Sequence, residues 1–243
     1  MTRFKLRTLA LAIPLAGVLS MSAAHAAPVT YNFSGTITSL SALQSNGGFQ
    51  DVANAAVGAT HLAMGEKLFG SITYDAANAQ FMMDDSSSDL PKSNYIYNLP
   101  TFSLQYTTES GGYSFSSFPG ATGSAMTFNQ PTFDTLGFEP SSFSRQLGLD
   151  VMSSVFFVIG DPSGQLLSSA AMPASFDSAG PGSEARVSGT IRTTDSGALV
   201  NYSATMTSLT RVVTAVPEPE TYAMMLAGLG MLGMAARRRK NQA

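Results

Sequence analysis

Cysteine is absent from the 243 residues, and its absence excludes disulfide frameworks, thiolate zinc sites and cysteine nucleophiles. Tryptophan is absent too, so any sugar cleft would have to use Tyr or Phe as its aromatic platform. Charged residues make up 12%, about half the share usual in soluble domains. Ser, Thr, Gly, Asn and Ala stand in their place. The two histidines, His25 and His61, are too few for a His-rich metal centre. No Walker loop, dinucleotide fingerprint, zinc-protease motif or Gly-x-Ser-x-Gly elbow occurs. Without disulfides the fold rests on its core, and a body of roughly 190 residues is large enough to form one.

The basic residues gather at the two ends. Arg3, Lys5 and Arg7 open the chain, and Arg237, Arg238, Arg239 and Lys240 lie at its close. Between them, residues 27–216 hold six basic and fourteen acidic side chains. Such an acidic body argues against nucleic-acid binding, which needs clustered cations to neutralise phosphates. Residues 1–26 have the three parts of a secretory signal: a basic start, an apolar run over 8–19, and a small-residue close at Ala24-His25-Ala26. The apolar run is short and interrupted by Pro14, which favours removal over anchoring. Signal peptidase is expected to cut after Ala26, with Ala24 and Ala26 as the recognised pair.

The other end reads Val216-Pro217-Glu218-Pro219-Glu220, then an apolar stretch over 221–236, then the cluster Arg237, Arg238, Arg239 and Lys240. Sixteen helical residues span about 24 Å, short of the roughly 30 Å hydrocarbon core, though snorkelling Arg and Lys extend the reach. The basic cluster places residues 237–243 in the cytoplasm and the body outside. Pro217 and Pro219 cannot continue a helix, so the junction is expected to be extended and open to a protease. This order of elements resembles the PEP-CTERM sorting signal of Gram-negative bacteria, over residues 216–240. The resemblance implies recognition by an exosortase, cleavage near the motif, and release or transfer to the surface, with a role around exopolysaccharide and biofilm. A tail of this kind is also labelled an ice-binding C-terminal domain, a label that says nothing about the body. Ala223, Ala227 and Gly230 form a small-residue face on the expected helix, suited to close helix packing in lipid.

The body has the periodicity of strands. Apolar and polar residues alternate at 29–34, and comparable segments fall at 68–74, 95–106, 112–118, 147–159, 185–193 and 198–213. Turn-rich pieces separate them, such as Ser45-Asn46-Gly47-Gly48 and Asp161-Pro162-Ser163-Gly164. The last two segments read as a hairpin around Asp195-Ser196-Gly197. An Ala-rich run over 51–64 could hold one helical turn. Three fragments, Ser34-Gly35-Thr36-Ile37-Thr38, Gly70-Ser71-Ile72-Thr73 and Ser188-Gly189-Thr190-Ile191-Arg192, look like equivalent strands whose glycines permit a bulge or close approach. The expected fold is all-β, an antiparallel β-sandwich of jelly-roll-like kind. It divides into a signal peptide (1–26), an ectodomain (27–215) and a sorting tail (216–243).

Chemistry in the body is sparse. His61 reads as an ordinary turn residue. Asp84, Asp85 and Asp89 are weak calcium candidates: they supply hard oxygens but lack the EF-hand pattern, and a solvated loop explains them equally. Fourteen carboxylates could supply a glycosidase pair, yet sequence cannot pair them. Thr36-Ile37-Thr38 and Thr205-Met206-Thr207 put hydroxyl pairs on strand faces, too few for an ice-ordering array. The expectation is an exported, non-enzymatic surface or matrix protein with no required cofactor. Its partners would be signal peptidase, exosortase and exopolysaccharide. A carbohydrate-binding module and, further off, a secreted hydrolase are the alternatives.

Overall fold

The computed structural model describes residues 27–84, 93–117, 120–130, 132–140, 144–145, 151–176, 182–193 and 197–213 of the body, with 225–226, 228–230 and 232 of the tail. The chain divides into two compact units, the body Ala26–Val213 and a second formed from the two chain ends.

Alternation makes the body a sheet. The strands are β1 (Val29–Leu43), β2 (Phe49–Asp51), β3 (Asn54–Val57), β4 (Thr60–Ala63), β5 (Lys67–Tyr74), β6 (Gln80–Asp84), β7 (Ser93–Leu99), β8 (Phe102–Thr108), β9 (Ser114–Ser116), β10 (Gly123–Gln130), β11 (Phe133–Pro140), β12 (Ser144–Arg145), β13 (Val151–Asp161), β14 (Glu184–Thr193) and β15 (Leu199–Val212). In β8 the rule is plain: Phe102, Leu104, Tyr106 and Thr108 are buried, while Ser103, Gln105 and Thr107 face solvent. All pairs are antiparallel.

Among the described residues, thirteen strands share one sheet, ordered β6-β7-β10-β11-β13-β14-β15-β1-β5-β8-β9, with β12 and β2 attached at the side. The sheet folds back on itself. Phe102 of β8 stacks on Phe138 of β11 at 6.2 Å, although five strands lie between theirs in the sheet order. Tyr74 of β5 meets Phe138 at 5.0 Å, and Phe33 of β1 meets Phe157 of β13 at 5.3 Å. The fold is therefore all-β and antiparallel, as the periodicity predicts. Its two layers are wings of a single sheet, hydrogen-bonded through β14 and β15.

Two expectations change locally. Residues 51–64 hold β3 and β4, paired as a hairpin, where the Ala-rich composition suggests a helical turn. Gly58, at φ +62°, makes the reversal, and Val57, Thr60 and Leu62 bury one side of the ribbon, so burial of alternate residues prevails over alanine's helix preference. The segment read as one strand over 95–106 is two, β7 and β8, broken at Pro100-Thr101 because proline supplies no N–H to a ladder.

A long connection closes the core. Residues 162–176 leave β13 and cross between the wings. Tyr31 of β1 donates to the Phe176 carbonyl at 2.7 Å and accepts the Phe176 N–H at 2.8 Å. Tyr74 of β5 reaches the Pro173 carbonyl, and Tyr97 of β7 reaches that of Ala170. Asn129 of β10 donates to the Leu167 carbonyl, and Asp134 of β11 accepts the Leu167 N–H. Leu167, Ala170 and Phe176 are the connection's buried residues, and buried backbone polar groups must be satisfied, which inward-facing side chains from both wings do here.

Candidate functional site

The buried polar groups come first, because a hydrolase would draw its acid and base from them. Asp134 and Asp161 face each other across β11 and β13, and both are fully buried. Asp134 accepts N–H bonds from Gln130 and Leu167. Asp161 accepts from the Ser163 N–H and hydroxyl, the Gln165 N–H and the Ser183 hydroxyl. Burial pushes the Asp161 carboxyl up, but these donors outweigh it and hold the group down at about 2. It therefore stays ionised and committed to the turn at Pro162-Ser163-Gly164.

A second buried group joins three tyrosines. Tyr106 and Tyr202 share a short hydroxyl contact, and Tyr202 donates to Tyr113 at 3.4 Å. Burial raises the Tyr106 and Tyr202 hydroxyls well above their ordinary value, with neighbouring tyrosines adding to it. They remain protonated, inside the core. Gly189 makes room for them, since a Cβ there would lie 2.4 Å from the Tyr202 oxygen. This is the close approach expected of the Ser-Gly-Thr fragments. Gly35 and Gly70 show it too, with a bulge in β1 at Ser34/Gly35.

The outward face differs between the wings. Register aligns Ile96, Met126 and Val158 on the β7-β10-β11-β13 wing, and Phe128 lies two residues beyond Met126 on the same face. On the β14-β15-β1-β5-β8 wing Glu184, Arg186 and Arg192 of β14 and Lys67 and Phe69 of β5 are exposed, and the other outward residues are mainly hydroxyls and amides. They bond across strands: Thr30 with Thr73 at 2.9 Å, Ser34 with Ser208 at 2.6 Å, Thr38 with Thr205 at 3.1 Å, Ser188 with Ser203 at 3.0 Å, and Thr190 donating to Asn201 at 2.8 Å. Single strands did not disclose this face, because only the register places β1 between β15 and β5.

The tail supplies the deciding observation. Met225, Leu226, Gly228, Leu229, Gly230 and Leu232 are helical, and the four apolar side chains among them are exposed. No helix among the described residues is long and apolar enough to cross a membrane. Residues 215–240 match the family model of the PEP-CTERM protein-sorting motif. The chain carries a PEP-CTERM sorting signal. Such a signal marks a protein for export to the cell surface, with exosortase as its processing partner. No curated protein and no solved structure matches the chain.

Of the residues read from sequence, the PEP-CTERM motif itself (Val216, Pro217, Glu218, Pro219 and Glu220) lies outside the described residues. So do Arg237, Arg238, Arg239 and Lys240, the cleavage pair Ala24 and Ala26, and the helix positions Ala223 and Ala227. Gly230 is in the helical stretch. Asp84 ends β6 at an exposed position, whereas Asp85 and Asp89 fall outside the described residues. Among the described residues no group of three or more His, Cys, Asp or Glu could hold a metal ion. His61 sits at an exposed position within β4, on a strand where a turn was expected, and its N–H donates to the Gly112 carbonyl.

Proposed function

We propose that this is a non-enzymatic protein of the bacterial surface or extracellular matrix, delivered by exosortase processing and associated there with exopolysaccharide. The observation that carries the reading is the PEP-CTERM motif at residues 215–240. Two features of the body support it. The buried carboxylates Asp134 and Asp161 are engaged by N–H and O–H donors that hold turns. The outward face of the β14-β15-β1-β5-β8 wing carries hydroxyls and amides bonded to one another across strands, suited to a hydrated polymer. The function needs no cofactor. Signal peptidase acts first, after Ala26, and exosortase second, near Pro217 to Glu220. Between the two steps residues 221–236 hold the chain in the inner membrane, with Arg237, Arg238, Arg239 and Lys240 in the cytoplasm.

Intact mass, fraction by fraction, from cells with and without exosortase tests this. The expected product begins at Ala27, ends near Pro217 to Glu220, and is lost without the enzyme. A full C-terminus in both strains would reduce the tail to a plain anchor and move the protein to the inner membrane.

A further inference from the structure

The β14-β15-β1-β5-β8 wing contains one built feature. Phe69 of β5 is 44% exposed, the lone aromatic ring set outward among hydroxyls and amides of β1, β5 and β8. It stands at the side of a groove of about 410 Å³ that runs over β1, β5, β8 and β9. Register puts Ser34 and Thr107 beside Phe69 in one cross-strand row, continued by Ser114 of β9. The next outward row is Asn32, Ser71, Gln105 and Ser116. Gln105 donates to the Ser71 hydroxyl at 3.1 Å, which ties its amide to the neighbouring strand. None of the side chains lining the groove is charged; the nearest ion pair, Lys67 with Glu109, is at the rim and well exposed.

We propose that this groove is a binding site for an uncharged polysaccharide chain, a reading that deepens the exopolysaccharide association above and rests on it. An exposed ring accepts the C–H face of a pyranose, and flanking amide and hydroxyl groups exchange hydrogen bonds with its equatorial hydroxyls. Strands lie about 4.8 Å apart, close to the length of one pyranose unit, so successive sugars meet successive strands. The absence of charge selects the class. Among the side chains that line the groove a uronic acid or phosphorylated glycan would find no cation to offset its desolvation, and a nucleic acid would find none either. A protein interface is a poorer fit, because interface centres gather several aromatic, Met and Arg side chains and this groove has one outward ring.

The test is affinity electrophoresis of the full chain, solubilised in mild detergent, through gels containing dextran, mixed-linkage β-glucan or galactomannan, with alginate and polygalacturonate as acidic counterparts. The expected result is retardation by at least one neutral polymer and by neither acidic one. Phe69→Ala should weaken that retardation about ten-fold or more, the scale of one lost aromatic stack. Phe69→Tyr should retain it, and Gln105→Ala should fall between. Because Phe69 lies outside the core, thermal melts of these variants should match the parent. No retardation by any neutral polymer, retardation by acidic polymers alone, or a Phe69→Ala variant that runs like the parent would each overturn the site. A chain that is sorted and cleaved yet ignores every neutral polymer would overturn the site and leave the sorting reading standing. A chain never processed by exosortase would do the reverse.

Discussion

At the scale of single residues, Asp161 is the clearest lever on stability. Four donors converge on one buried carboxylate, so Asp161→Ala should cost roughly 2–3 kcal/mol, read from the midpoint of a urea titration. Its pH dependence follows from a value depressed from 3.8 to about 2. The stabilisation is complete above the unfolded value, declines as pH falls through the interval between the two, and is gone below the folded one. The parent should therefore lose stability across that interval more steeply than Asp161→Ala. This residue was legible only as part of a turn, Asp161-Pro162-Ser163-Gly164. Its partner Ser183 arrives from a segment 22 positions away. The tyrosine group was hidden for the same reason, since Tyr106 and Tyr202 are 96 positions apart and meet only when β1 and β5 join β15 to β8 in the sheet.

At the scale of elements, the loop over 162–176 is fastened mainly by hydroxyls that point inward. Tyr31 makes two of the bonds and stacks on Phe176 with ring centres 4.0 Å apart. Tyr31→Phe keeps the stack and removes both bonds, so it should cost roughly 2 kcal/mol in a urea titration and speed protease cutting within 162–176. The strands themselves were largely readable where large apolar residues alternate, as in β5, β8, β14 and β15. Strands β10 and β11 were not. The inward positions of β10 are Gly123, Ala125 and Thr127, small or polar, so the pattern lacks amplitude. Gly123 is small for a reason visible only in the fold: a Cβ there would lie 2.5 Å from the Phe102 ring on the opposite wing. In β11 the buried Asp134 breaks the apolar series. The sorting motif was legible because its signal is local, a fixed order of residues along the chain. The glycan groove was not, because it is assembled from four strands whose register no single segment records.

At the scale of the whole molecule, β15 holds the sheet together. It is the hydrogen-bonded link between β6-β7-β10-β11-β13-β14 on one side and β1-β5-β8-β9 on the other. A chain ending after β14 should therefore lose its cooperative melt altogether, followed by circular dichroism, where removal of an edge strand such as β9 would only lower the midpoint. The strand that β15 joins is the first of the body: Thr30 pairs with Val212, and Ala42 with Val200. The two partners are thus made at opposite ends of translation. At roughly 5–20 residues per second, β1 waits on the order of ten seconds or longer for β15 to emerge. During that wait the two halves of the sheet stay unjoined. Completion of the fold is in this sense a clock: it strikes only when the last strand is through, with the sorting tail next in line.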